Sequence, residues 1–336
     1  MTRPAALGLF LLFQLFVALV LAEGLLLLMY HHPAAWYPAG LQNFLRTEYF
    51  FRRRIVQMDE RTARYDLELF YTLQPGAFVF SNPEFSTQFV VNRLGVRDNQ
   101  RSLEQPEIVV VGDSYAMGWG VQQDESFPEL LERRTGRLVL NAAVSSYGTV
   151  RERRMLDRID LRRAETLVVQ YAPNDFAEND EFRKHANRYT ASSREDWLAA
   201  IAQQRRYERY WPFRMVYDTV VWIKRGITGW PRGGFEPSQY PAAEAAELFL
   251  NALMHASPTD LSRLQIIVMD MDADPAFIHA LDSLHRAETY PPYVRGLRVV
   301  DLSQRLTPAM HYVLDDHLNA QGHQAIADAL AGIVDR

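Results

Sequence analysis

From residue 105 to its carboxyl end this chain alternates short apolar runs with amphipathic ones, and that rhythm leaves few folds open. The runs EIVVVGD (107–113), RLVLNAAV (137–144), ETLVVQYAPND (165–175), LQIIVMDMD (264–272) and LRVVDLS (297–303) are short and apolar, as buried strands are. Between them lie stretches with helical spacing. ESFPELLERRTG (125–136) has a stripe at Phe127, Leu130 and Leu131 and a stop at Gly136. TVRERRMLDRIDLRR (149–163) reads as a charged helix, PAAEAAELFLNALMHA (241–256) as a further one, and DPAFIHALDSLHR (274–286) opens on an Asp-Pro cap. The last, NAQGHQAIADALAGIVD (319–335), has Asn319 as its N-cap. Strands apolar on both faces and separated by helices predict an α/β fold with a parallel sheet covered on both sides.

The remaining chain falls outside this rhythm. Residues 5–22 read AALGLFLLFQLFVALVLA, apolar except for Gln14, and LLLLMY follows Glu23 and Gly24. A stretch of this length can cross a bilayer core. Residues 1–30 are therefore either a transmembrane anchor or a signal segment ending at Ala22, where Val20 and Ala22 suit a cleavage site. The run's continuation to Tyr30 favours the anchor. Arg46 and Arg52 to Arg54 lie at the edge of the reach of the positive-inside rule, so charge alone does not orient the span. Residues 31–104 read as a connector with a small strand-rich piece, FVFSNPEFSTQFVVNRLGVRD (78–98), broken by Asn-Pro and a glycine. Residues 176–240 form a long insertion with Trp197, Trp211, Trp222 and Trp230, suited to a lid, a glycan-gripping or membrane-resting surface, or a subdomain packed on the sheet.

Composition removes several function classes. The formal net charge of -5 gives no electrostatic case for nucleic acid as a partner. The chain has no cysteine, which excludes disulfides, thiolate zinc sites and cysteine nucleophiles. Asp270, Asp272 and Asp274 alternate but lack the glycine and bidentate glutamate of a calcium loop, and Gly-rich phosphate signatures are missing. No metal or cofactor is expected.

Ligands of open α/β sheets bind at the carboxyl ends of the strands. There the sequence places Gly112-Asp113-Ser114, then Asn141 with Ser145-Ser146-Tyr147-Gly148, then Asn174-Asp175; Asp315-Asp316-His317 precedes the last helix. A serine nucleophile needs a base, and the base a carboxylate to orient it. Ser114, His317 and Asp315 supply the set. Asp315 is preferred to Asp316 because residues two apart in an extended segment share a face. Oxyanion donors are expected from the Asn174 amide, the Ser114 N–H and a backbone N–H at 146–148. Asp113 is read as a loop-holding residue, His311 as the rival base and His323 as a helix residue.

The blocks GDSY, NAAVSSYG, APND and DDHLN, in this order, resemble the SGNH (GDSL-type) hydrolase superfamily over roughly residues 105–336. The resemblance implies a flavodoxin-like three-layer α/β/α fold and ester or acyl-transfer chemistry. It casts Ser114 as nucleophile, His317 as base and Asn174 as oxyanion donor. The family's oxyanion glycine falls on Ser146, with Gly148 two residues on; Tyr115 replaces a leucine and Ala172 a glycine. The family's common D-x-x-H would need an acid at 314, where Leu314 stands. D-x-H is instead similar to the spacing in envelope polysaccharide O-acetylation enzymes such as the alginate-acetylation proteins, and EFSTQFVVNRLGVRD looks like the leader of membrane-linked members. The implied protein is a single-pass bacterial inner-membrane enzyme with its catalytic domain periplasmic or extracellular. It would act on O-acetyl or other esters of an envelope glycan or lipid-linked substrate. Two alternatives stay open: an O-acyltransferase working with a membrane acyl-donor partner, and a non-catalytic glycan-binding scaffold.

Overall fold

A computed structural model describes residues 3–228, 240–271 and 275–334; Trp230, Asp272 and Asp274 lie outside them. The strands are β1 (Ala63–Asp66), β2 (Phe70–Leu73), β3 (Gly76–Asn82), β4 (Phe85–Val91), β5 (Ile108–Val111), β6 (Val139–Asn141), β7 (Thr166–Tyr171), β8 (Gln265–Asp270) and β9 (Arg298–Val300). The helices are α1 (Arg3–His31), α2 (Ala39–Arg52), α3 (Ser114–Met117), α4 (Phe127–Thr135), α5 (Thr149–Met155), α6 (Asp175–Lys184), α7 (Arg194–Glu208), α8 (Arg214–Thr228), α9 (Ala242–His255), α10 (Ala276–Leu284), α11 (Pro292–Arg295) and α12 (Ala320–Val334).

The five expected strands form one parallel sheet in the order β6-β5-β7-β8-β9. This is the flavodoxin-like order, whose switch point lies between the first and third strands of the series, here β5 and β7. Successive side chains of a strand point to opposite faces, and here both faces are apolar. Val109, Val111, Leu167 and Val169 face one core with Phe249, Leu253 and Leu281 of α9 and α10. Ile108, Val110, Val168 and Ile267 face the other with Phe127 and Leu131 of α4 and Ile326 and Leu330 of α12. The result is a three-layer α/β/α arrangement.

Local signals explain the helix ends. Gly136 closes α4 at φ +67. Asn319 Oδ1 accepts from Gln321 N–H at 2.9 Å and opens α12. The charged stretch after Gly148 is shorter than expected: α5 ends at Met155, a 3-10 turn follows over Leu156–Arg158, and Ile159 is extended. Arg158, the last residue of that turn, pairs with Asp66 of β1 at 2.7 Å.

Residues 31–104 are built into the main body. β3 and β4 form an antiparallel hairpin turning at Pro83-Glu84. Phe80, Phe89 and Val91 enter one core; Leu69, Tyr71 and Val96 enter the other. Within the insertion, Trp197 of α7 is buried and its Nε1 donates to the Gln57 carbonyl at 3.0 Å, while Trp211 is exposed. Helix α1 is long and apolar enough to cross a membrane, and its most apolar stretch is not buried by the rest of the chain.

Candidate active site

Strand β5 delivers the first group. Gly112 has φ +157, and a Cβ there would stand 2.6 Å from Gln170 Oε1. That oxygen accepts from the N–H groups of Asp113, at 3.1 Å, and Ala116, at 3.2 Å, so a buried glutamine of β7 holds the turn from below. Asp113 Oδ1 accepts from Tyr115 N–H at 2.9 Å and caps α3. The carboxyl thus holds the loop, as read from sequence; burial pushes its pKa up to about 6. Ser114 is the first residue of α3, so its N–H is among those a helix start leaves without an intrahelical acceptor. Gly118, at φ +84, closes the turn.

Ser114 Oγ lies 2.7 Å from His317 Nε2. On its other side, His317 Nδ1 makes a short contact with Asp315 Oδ1. The imidazole lies between the rings of Tyr115 and Trp119, whose centroids are 4.6 and 5.0 Å away. Asp315 Oδ2 accepts from Trp119 Nε1 at 2.9 Å and, in a short contact, from the Tyr49 hydroxyl. Glu84, at the β3–β4 turn, accepts from Val313, Leu314 and Asp315 N–H at 2.7, 2.8 and 2.9 Å, clamping the backbone that carries the acid.

Asp316 departs from expectation. It does not point to the opposite face: its Oδ1 lies 3.3 Å from His317 Nδ1, and Arg53 Nη1 lies 3.1 Å from the same oxygen. The reason is that residues 313–317 form consecutive bends rather than an extended strand, so the two-residue alternation does not apply. Burial opposes protonation of His317, but Asp315 and Asp316 outweigh it and push its pKa up to about 9. Burial likewise opposes ionisation of both carboxyls, yet His317 and Arg53 hold them below the usual range.

The loop after β6 carries the other expected donors. Ser146, where the resemblance puts a glycine, has φ +59, in the left-handed region that glycine adopts without strain. Four side chains fix this loop. Gln57 Nε2 donates to Ser146 Oγ at 2.9 Å and Tyr71 Oη to the Ser145 carbonyl at 2.9 Å. Arg151 donates to the Ser146 carbonyl, and Asn174 Nδ2 to the Tyr147 carbonyl at 3.0 Å. The Asn174 amide has a second N–H, and the residue is exposed at the end of β7. Gly148 precedes α5, where a Cβ would meet Glu178 at 3.0 Å. Asn141 Nδ2 donates to the Ala116 carbonyl at 3.0 Å and ties the β6 end to α3.

Two further histidines, His311 and His323, have partners other than Ser114. His311 Nδ1 lies 2.9 Å from the Asp316 carbonyl, and buried His323 accepts from Phe127 N–H at 3.2 Å within α12. Ligand-capable atoms of Asp315, Asp316 and His317 lie within 4.8 Å of one another. They suit a proton relay better than a cation: Nε2 faces Ser114, Asp315 Oδ2 has two donors, and Arg53 brings a positive charge against both carboxylates.

Tyr49, Arg53, Glu84, Trp119 and Gln170 were not legible as site residues. Four of them act on a carboxylate or the loop bearing it, and three come from the presumed connector. Fold and site together define a serine–histidine–aspartate constellation at the carboxyl edge of a doubly wound sheet. No family model matches the sequence, and no curated protein matches it. Among solved structures, the chain is similar to a protein described as lipolytic and of the G-D-S-L family from Desulfitobacterium hafniense DCB-2, at 10% identity and TM-score 0.36, over 67% of this chain and 98% of that one. It is also similar to a carbohydrate esterase described as having divergent catalytic and non-catalytic binding functions, at 12% identity and TM-score 0.39, over 69% and 65% of the two chains. A third similarity is to TesA, at 12% identity and TM-score 0.35, over 68% and 97%.

Proposed function

We propose that this chain is a membrane-anchored serine hydrolase of SGNH type that cleaves an ester, with the O-acetyl group of an envelope glycan as its substrate. The observation that carries the reading is the 2.7 Å approach of Ser114 Oγ to His317 Nε2, with Asp315 on the far side of the imidazole. In the first step Ser114 Oγ attacks the acyl carbonyl and its proton passes to Nε2. The new imidazolium is stabilised by Asp315 and Asp316. The oxyanion is met by the Ser114 N–H, the second Asn174 N–H and a backbone N–H of the loop from Ser146 to Gly148. The proton then passes to the departing sugar oxygen, leaving an acyl-serine. Water, activated by His317, attacks that ester, and free acid leaves with Ser114 restored.

The anchor reading rests on α1, whose most apolar stretch is left unburied by the domain while its last third packs Leu26, Leu27 and Tyr30 against it. An outward-facing domain in the bacterial inner membrane is the matching placement. The test uses the full chain in detergent with a fluorophosphonate probe and acetylated oligosaccharides, beside Ser114→Ala. Labelling and acetate release by the native chain alone support the reading. Equal labelling of both proteins refutes the serine assignment, and acetyl transfer to added sugar without free acetate replaces hydrolysis by transfer.

A further inference from the structure

We infer that helix α8 and the loop before it are a bilayer-docking surface, a second membrane contact that fixes the enzyme's orientation on its anchor. The inference rests on α1 being membrane-inserted. Residues 4–22 of α1 are exposed but for half-buried Leu19, and the helix packs against the domain from Glu23 to Tyr30. That carboxylate is buried, accepting from Tyr210 Oη at 2.7 Å and from the N–H groups of Met215 and Val216 at 3.2 and 2.9 Å. The anchor therefore caps the start of α8, and an anion at a helix N-terminus also suits the helix dipole. Before α8, Phe213 packs edge-on against Phe16 with centroids 6.0 Å apart. Phe16 lies seven residues below Glu23, about 10 Å along the helix axis. The loop 210–213, Tyr-Trp-Pro-Phe, thus flanks the span at a depth where aromatic side chains settle between headgroups and acyl chains.

Along α8 the side facing the body carries Met215 and Trp222, packed with Phe44 and Tyr30. The other side presents Tyr217, Val220, Ile223 and Ile227, all exposed and spaced along one stripe, with exposed Lys224 on the same face and Arg225 at its edge. Through Phe213 the stripe adjoins Phe16 of a helix that is itself apolar. A helix with an apolar stripe and a basic flank is the form that lies in a membrane interface. Lipid is the occupant that both surfaces share.

The absence of cysteine makes the test direct. Leu12→Cys, Val220→Cys, Ile223→Cys and the solvent-facing control Glu195→Cys are each spin-labelled in the full chain. The proteins are then reconstituted in phosphatidylethanolamine–phosphatidylglycerol vesicles. Collisional access is compared for oxygen, which concentrates in lipid, and a water-soluble nickel chelate. The expected result is oxygen-dominated access at 12, 220 and 223 and chelate-dominated access at 195. Chelate-dominated access at 220 and 223 with lipid access at 12 overturns docking alone. Exclusion of both reagents at 220 and 223 also overturns it, because protein then covers the stripe. Chelate access at 12 overturns the anchor and docking together.

Discussion

Replacing Asp316 by asparagine should move the pH dependence of the site to lower pH. Asp316 Oδ1 stands 3.3 Å from His317 Nδ1. At that distance and an effective dielectric constant of about 20, a full charge contributes about 5 kcal/mol, an upper bound for its effect on the imidazolium. Arg53, 3.1 Å from the same carboxylate, cancels much of it. With His317 at about 9, against an ordinary 6.5, a loss of about one unit is the modest expectation, equivalent to about 1.4 kcal/mol. The sign follows from the role: the neutral imidazole accepts the serine proton. Reactivity therefore rises with pH through the His317 pKa and levels above it. At pH 7 roughly one site in a hundred would be neutral with a pKa near 9, and roughly one in ten near 8. The second-order rate of fluorophosphonate labelling between about pH 5 and 10 reads the free-enzyme pKa. Asp316→Asn should label several-fold faster at pH 7 and somewhat slower on the plateau, since a less basic imidazole is a poorer acceptor. An unmoved limb, or one displaced to higher pH, would refute the assignment of Asp316 to the imidazole.

Tyr49→Phe removes one of two side-chain donors to Asp315 Oδ2 and should cost about 1.5–3 kcal/mol of stability, read by urea unfolding in detergent, while Trp119 keeps the carboxylate partly satisfied. Glu84→Gln leaves one acceptor oxygen where two carboxylate oxygens hold three backbone N–H groups; labelling should fall by more than about tenfold, with new protease sensitivity at 311–317. Ser146→Gly should keep labelling within about threefold of native, whereas Ser146→Val, a β-branched residue at φ +59, should lower it by more than about tenfold.

The parts of this molecule written in local pattern were readable. β-branched runs gave the five parallel strands, Gly136 and Asn319 marked helix ends, and Gly112-Asp113-Ser114 marked the end of the first of those strands. Ser114 and His317, each following or preceding a regular element in a recognisable block, could be singled out, and the fold brings them within 2.7 Å. What stayed hidden was written in long-range packing. Glu84 sits in an Asn-Pro-Glu turn that gives no sign of the three amides it meets some 230 positions away. Tyr49 and Arg53 lie in a stretch read as a connector, with no block around them to mark a role. The reading of Asp316 failed for a local reason: alternation was assumed where the backbone bends.

The carboxylate of Asp315 is anchored from α2 and its loop is gripped from the β3–β4 turn, both upstream of the sheet. A fragment starting at residue 105 would keep the hydroxyl and the imidazole but lose the hands that aim them. Any shortened form meant for crystallisation or inhibitor screening has to retain the segment from Ala39 onward, and changes at Tyr49 or Glu84 should register in serine labelling although both act through Asp315 and its backbone.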